Sequence, residues 1–394
     1  MKKLLCIMIG LLAVNMISFA RTKNKYTKNK YLSVAEQTLQ LIDTFYRAEE
    51  NPLLFNETYP FNPNNVATYT VSQDIITKKR VAYLWPTSGV FSAVVALLDR
   101  TGDKKYEQLL NKKIIPGLAL YFDSIRKPEC YQSYLTCEGK SDRFYDDNVW
   151  LVIDFADAYR ITKNKSYLNE AELIWKFVIS GWDEKLNGGI YWCEQNKNGK
   201  NTCSNAPSVV AATKLYEITN NSQYLETAEK IYSWTKNNLQ DTTDFLYFDN
   251  INLQGKIDTR KFAYNSGQML QGASLLYKAT KNKSYLTDAQ NIAKSAHVYF
   301  SKETVRDEIT YRVFHKSDPW FITVMMRGYF ELYEIDKNTE YIESIKSNMD
   351  YIIKYARYEN GLFYKDWTGS KTEKYKWLLN QACIVEASSK LSAF

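Results

Sequence analysis

The chain reads as an all-α protein, an (α/α)6 barrel of six inner and six outer helices whose loops carry short β-hairpin-like pieces. Three observations predict this: a degenerate repeat, two alternating kinds of helix, and two alternating kinds of connection. The repeat is a polar turn ending in tyrosine. It runs Asp99-Arg-Thr-Gly-Asp-Lys-Lys-Tyr106, Arg160-Ile-Thr-Lys-Asn-Lys-Ser-Tyr167, Glu217-Ile-Thr-Asn-Asn-Ser-Gln-Tyr224, Lys278-Ala-Thr-Lys-Asn-Lys-Ser-Tyr285 and Glu334-Ile-Asp-Lys-Asn-Thr-Glu-Tyr341. The tyrosines lie 61, 57, 61 and 56 residues apart. Asn, Asp, Gly and Ser interrupt helices because their own backbone bonding competes with the helical ladder. A period near sixty exceeds the common solenoid repeats and suits a helical hairpin plus one long loop.

Apolar periodicity then places about twelve helices, near 33–48, 86–99, 103–122, 146–161, 166–180, 205–218, 222–238, 263–280, 284–300, 318–335, 339–355 and 374–392. Pro116-Gly117 should kink the third. Every second helix, such as the segment from Trp150 or that from Phe321, is apolar nearly all round. The others, such as Tyr167–Trp175, show a single apolar stripe. The first kind should be enclosed by protein and the second should face water, as in a closed barrel; an irregular solenoid is the alternative. Links from inner to outer helix are the short repeat turns. Links from outer to inner are long and hold strand-like pieces at 189–192, 245–248 and 361–364. Long loops gathered at one end are where function is expected.

Residues 1–20 read as an export signal: Lys2 and Lys3 precede a short apolar run, and Ser18-Phe19-Ala20 offers small residues for cleavage. Residues 21–394 then form a single domain, secreted or periplasmic and monomeric, with no membrane partner once the signal is removed. The net charge of +7 is scattered, and no basic run interleaved with aromatics marks a nucleic-acid surface. Cys130 with Cys137 and Cys193 with Cys203 bracket two loops and are candidate disulfides in an oxidising compartment. Cys383 sits in an apolar helical run and reads as a buried thiol. No metal-ligand spacing, phosphate loop or dinucleotide fingerprint occurs, so no metal or organic cofactor is expected. The two histidines, His297 and His315, fall in an outer helix and a loop, which leaves triad chemistry poorly supplied.

The starts of the inner helices collect residues that packing does not explain. They read Trp85-Pro-Thr-Ser-Gly89, Tyr145-Asp-Asp-Asn148, Ser204-Asn-Ala-Pro207, Tyr264-Asn-Ser-Gly-Gln268 and Asp318-Pro-Trp320. Pro86, Pro207 and Pro319 fit helix first turns. In a closed barrel all five clusters ring one mouth. Asp146-Asp147 is the sharpest feature. Helix capping is the plain alternative; the chemical reading is a carboxylate pair, one ionised and stabilised by the helix terminus, the other protonated by repulsion from it. Asp154 and Asp157 lie deeper in the same helix and read as hydrogen-bonded buried groups.

Taken in order, Tyr145-Asp-Asp-Asn-Val-Trp150, Gly188-Gly-Ile-Tyr-Trp192, Asn201-Thr-Cys-Ser-Asn-Ala206, Tyr264-Asn-Ser-Gly-Gln268 and Lys376-Trp-Leu-Leu-Asn-Gln381 resemble glycoside hydrolase family 76, the endo-α-1,6-mannanases, over roughly residues 35–392. The resemblance implies the same barrel and retaining cleavage of α-1,6-linked mannan, with Asp146 as nucleophile and Asp147 as general acid/base. It makes Trp85, Tyr145, Asn148, Trp192, Asn205, Tyr264, Asn265, Gln268 and Trp320 candidates for binding mannose rings. The third motif reads Tyr-Asn-Ser-Gly-Gln where some members have Tyr-Asn-Gln-Gly. Rival readings are a mannan-binding protein without activity, a transglycosylase, an epimerase that would need histidines, and a glucuronyl hydrolase that would need cations. The expected mouth clusters hold no Arg or Lys.

Overall fold

The computed structural model describes residues 29–65 and 80–394, with 67, 70 and 71 between them; the expected export signal lies outside the described residues. In chain order the first helices are α1 (Lys30–Tyr46), α2 (Leu84–Thr101), α3 (Lys104–Leu109), α4 (Ile115–Leu118), α5 (Tyr145–Thr162), α6 (Lys165–Ser180) and α7 (Thr202–Thr219). Then follow α8 (Ser222–Leu239), α9 (Ala263–Thr280), α10 (Lys283–Phe300), α11 (Pro319–Asp336), α12 (Glu340–Tyr355) and α13 (Leu378–Leu391). Helices α2, α5, α7, α9, α11 and α13 pack side by side in that order, and α13 returns to α2, so the inner ring closes. The remaining helices lie outside it, and α1 packs on α13, giving the last inner helix an outer partner from the start of the chain. The two kinds of helix expected from periodicity are both present. Residues 202–213 of α7 are all buried, whereas α8 buries one stripe through Ala228, Ile231, Tyr232, Trp234, Thr235 and Leu239.

The repeat turn has one set of hydrogen bonds used five times. Gly102, Lys163, Asn220, Lys281 and Lys337 end their inner helices with φ between 55° and 63°. Each gives its N–H to a carbonyl four residues back, the left-handed helix stop. The next residue, Asp103, Asn164, Asn221, Asn282 or Asn338, accepts the backbone N–H two residues on; the first four cap their outer helices, and Thr339 intervenes at the fifth turn. The repeat tyrosines lace the outer ring. Tyr106 donates to Glu36, Tyr167 to Asn111, Tyr224 to Glu172 and Tyr285 to Glu229, each on the preceding outer segment.

All strands fall in the long outer-to-inner connections. β1 (Thr58–Tyr59) pairs with β10 (Lys376–Trp377), and β2 (Phe122–Asp123) with β3 (Cys130–Tyr131). β4 (Tyr191–Cys193), β5 (Asn196–Asn201), β6 (Phe248–Asn252) and β7 (Ile257–Lys261) form one antiparallel sheet; β8 (Ser301–Arg306) and β9 (Ile309–Phe314) form a hairpin. The piece at 361–364 is reduced to a bridge between Arg357 and Phe363.

Three local expectations need correction. The third helix is broken by a π turn, Leu110–Ile114, directly before Pro116, where a ring without N–H disturbs the ladder. The last helix begins at Leu378 and not at 374, because Lys376 and Trp377 are drawn into the pairing with β1. Helix α7 begins at Thr202, so Pro207 lies inside it and leaves the Cys203 carbonyl without its helical donor. Gly267, in the motif that departs from the family pattern, has a packing reason: a Cβ there would meet the Met325 Cα at 2.3 Å. Among the described residues no helix is long and apolar enough to cross a membrane.

Candidate active site

The first turns of five inner helices open onto one cleft of about 610 Å3. Part of its lining is aromatic: Trp85 of α2, Trp150 of α5, Tyr264 of α9, and Trp320 and Phe321 of α11. These rings brace one another. Trp320 stands edge-on to Trp85 at 5.3 Å and to Trp150 at 5.1 Å, and Tyr264 stacks on Phe321 at 4.0 Å. Another part comes from the four-stranded sheet, with Asn196, Asn198 and Asn201 of β5, Asn250 and Asn252 of β6, and Arg260 of β7. Such a lining offers ring faces together with many neutral donors and acceptors, which suits a polyhydroxyl ligand.

Asp146 and Asp147 occupy the first turn of α5 and reach this cleft. Neither is the cap: the capping position is Phe144, and no side chain bonds there. Their surroundings differ. Asp146 accepts the Trp192 indole N–H at 3.0 Å on one oxygen and the Asp147 backbone N–H at 3.0 Å on the other. The Cys203 thiol adds a further hydrogen bond. Asp147 has no side-chain hydrogen bond among the described residues, and its neighbours are two more carboxylates, Asp146 and Asp142. Burial raises the pKa of both. At Asp146 the donors from Cys203, Trp192 and the backbone oppose that rise, whereas at Asp147 the repulsion from Asp146 and Asp142 adds to it. Donors thus favour the ionised form at Asp146, while repulsion favours the protonated form at Asp147.

Of the residues expected at the mouth, Trp85, Trp192, Tyr264 and Trp320 line the cleft with the aspartates. The others do not, and each has a structural task. Asn148 exchanges hydrogen bonds with the backbone of Tyr131 at 2.9 and 2.8 Å, and Asn205 does the same with Ile190 at 2.7 and 2.9 Å. Gln381 repeats the device on Phe363. These amides pin long loops to inner-helix first turns and so position the mouth. Tyr145 is buried and stacks on Phe177 at 4.7 Å. Asn265 and Gln268 are fully buried; Asn265 points its amide at Asp249, and Gln268 donates to Gln271 at 2.9 Å.

The disulfide expectation is also corrected. Cys130, Cys137, Cys193 and Cys203 are free thiols. Cys137 is exposed while Cys130 is buried, and Cys203 is turned to Asp146 and Tyr264 in the cleft while Cys193 faces Gln195 at 3.6 Å. A disulfide needs converging Cβ vectors. Cys383 is a buried thiol, as expected. His297 is likewise structural, buried with a ring nitrogen 2.8 Å from Ser344 Oγ.

Sequence reasoning missed Phe144, Trp150, Cys203, Asp249, Phe262, Phe321 and the asparagines of the sheet. The alternation in Asn250-Ile-Asn252 was the one available signal, since residues two apart share a strand face. Arg260 was missed too, and it places a cation at the mouth. Its guanidinium is taken up by Asp258, at 2.6 Å, and by Asp249, at 3.4 Å. A neutralised arginine is poorly suited to gripping a uronate.

Residues 60–327 match the sequence model of glycosyl hydrolase family 76, and the chain belongs to that family. A family 76 glycoside hydrolase from a bovine Bacteroides thetaiotaomicron strain is 33% identical, with a TM-score of 0.84 over 93% of this chain and 78% of that one. A family 76 mannosidase from Bacteroides thetaiotaomicron is 30% identical, with a TM-score of 0.83 over 92% of this chain and 98% of that one. A putative mannan endo-1,6-alpha-mannosidase of Schizosaccharomyces pombe is 25% identical over 58% of this chain and 53% of its own length. The chain spans about half the length of the curated relatives it matches.

Proposed function

We propose that this protein hydrolyses internal α-1,6-mannosidic bonds of mannan with retention of configuration. The observation that carries this reading is the division of labour between adjacent carboxylates on one cleft. In the first step Asp146 attacks the anomeric carbon while Asp147 gives its proton to the departing glycosidic oxygen. A mannosyl ester on Asp146 results. In the second step the now ionised Asp147 takes a proton from water, which attacks the same carbon and frees Asp146. Retaining enzymes hold the two carboxyls about 5–5.5 Å apart. Neighbouring residues on a helix, with α-carbons about 3.8 Å apart and side chains diverging, suit that spacing.

Trp85, Trp192, Tyr264 and Phe321 supply faces for sugar rings. The mannan-cleaving relatives support the linkage and the endo mode. Residues 1–20 would export the enzyme to where such a polymer is found.

The test is digestion of linear α-1,6-mannan with size separation of the products, alongside Asp146→Asn and Asp147→Asn. A descending ladder of oligosaccharides, lost in both variants, is expected, with the α-anomer as first product by NMR. Mannan retained by the wild type without cleavage would turn the reading to a binding protein. Cleavage surviving both substitutions would place the reacting carboxylates elsewhere.

A further inference from the structure

Below the aromatic lining lies a second layer of side chains from the same inner helices. Further along α2, α5 and α11 from Trp85, Trp150 and Trp320 come Ser92, Asp154 and Arg327, and Glu386 of α13 joins them. All four face a cavity of about 450 Å3 lined by the later turns of the inner helices. Glu386 accepts both edges of the Arg327 guanidinium, Nε at 2.6 Å and Nη2 at 2.7 Å. Both residues are buried, at 6% and 2% exposure. Ser92 donates to Asp154 at 2.6 Å, keeping a further carboxylate near the arginine. The guanidinium carbon lies 5.7 Å from the centre of the Trp150 ring, and Trp150 in turn abuts Trp320 at 5.1 Å.

A buried ion pair adds little net stability, because desolvation offsets the attraction. What a two-point pair does supply is a fixed guanidinium plane. A guanidinium over an indole face then holds that ring in place. Trp150 stands one turn beyond Asp146 and Asp147 on the same helix, so its tilt sets the surface beside the reacting carboxylates. Resting on the mannanase reading, we propose that Arg327 and Glu386 are positioning residues. They hold Trp150, and through it Trp320, as the rigid floor on which the reacting sugar is seated.

The experiment compares wild type with Arg327→Met/Glu386→Met, an uncharged pair of similar volume, and with Glu386→Gln. The double variant is expected to keep the far-ultraviolet dichroism of the wild type. It should lose the near-ultraviolet band that Trp150→Phe abolishes, and kcat on linear α-1,6-mannan should fall on the order of 10²-fold, the scale of a 1 Å misplacement. Glu386→Gln, which keeps one accepting oxygen, should fall between. Asp157→Ala serves as control, since it breaks a different, half-buried pair, with Lys214 at 2.7 Å, and should lower stability while sparing kcat. A double variant with an intact band and wild-type kcat would overturn the proposal, as would an equal loss of kcat in the control. The dichroism band is read without substrate, so wild type inactive on mannan would sink the functional reading while the band still decided the role of the pair.

Discussion

The two ends of the barrel are built from the same helices and treat helix termini in opposite ways. At the repeat-turn end, Asp103, Asn164, Asn221, Asn282 and Asn338 take up the exposed N–H groups of the outer helices. At the mouth, the capping positions of α2, α5, α7, α9, α11 and α13 are Tyr83, Phe144, Asn201, Phe262, Asp318 and Trp377, and none makes a side-chain cap bond. One end spends its polar groups on closing turns. The other leaves positive helix ends facing the cleft, where they favour an anion such as the Asp146 carboxylate. Stability and chemistry are thus kept at opposite ends, and mutations should separate them.

The largest effect should come from the mouth. Asp147→Asn is expected to lower kcat by about 10²–10⁴-fold, the usual worth of a general acid/base, without loss of thermal stability. In the wild type, activity should rise with pH as Asp146 loses its proton, above the usual carboxylate range, and fall again when Asp147 loses its own. A kcat/KM profile measures both limbs, and Asp147→Asn should lack the alkaline one. Next comes Trp192→Phe. A hydrogen bond to a charged group is worth about 1.5–3 kcal/mol, so losing the indole N–H should raise the Asp146 pKa. The acid limb should move up by about one pH unit or more.

Away from the mouth, the Arg327–Glu386 pair under Trp150 excepted, the readout should switch to stability. Burial lifts the Asp154 pKa to about 7, with Arg327 and Ser92 opposing. A group that holds its proton more tightly when folded loses stability as pH rises from about 4, its unfolded range, to about 7. Asp154→Asn should flatten that slope, at most about 1.4 kcal/mol per pH unit, in urea melts across the window. The smallest effect is expected at a turn. Asn164→Ala should cost about 1 kcal/mol of unfolding free energy and leave kcat unchanged. A cap variant that lowered kcat would break the division between the two ends.

Much of this division was legible in the chain. The Thr-x-Asn turns and the tyrosine spacing marked the hairpins because each turn is closed by bonds within a few residues, as in Thr162 to Ala158 and Ser166 to Asn164. Asp146-Asp147 stood out because adjacent carboxylates among aromatics are costly unless used. The amides took a place the sequence did not show, for a physical reason. Asn148 and Asn205 look like sugar ligands in one dimension, yet their partners are backbone groups of loops 17 and 15 residues earlier.

By itself, then, the sequence determined the helices, their inner or outer character, the turns and the carboxylate pair, since all of these follow from local hydrogen bonding and apolar periodicity. Tertiary structure alone decided which side chains share the cleft. Cys203 beside Asp146, the Trp192 indole on the same carboxylate, the Arg260–Asp249 contact and the Arg327–Glu386 pair under Trp150 all join residues from separate helices or strands. Their proximity arises only when the hairpins pack side by side around the ring.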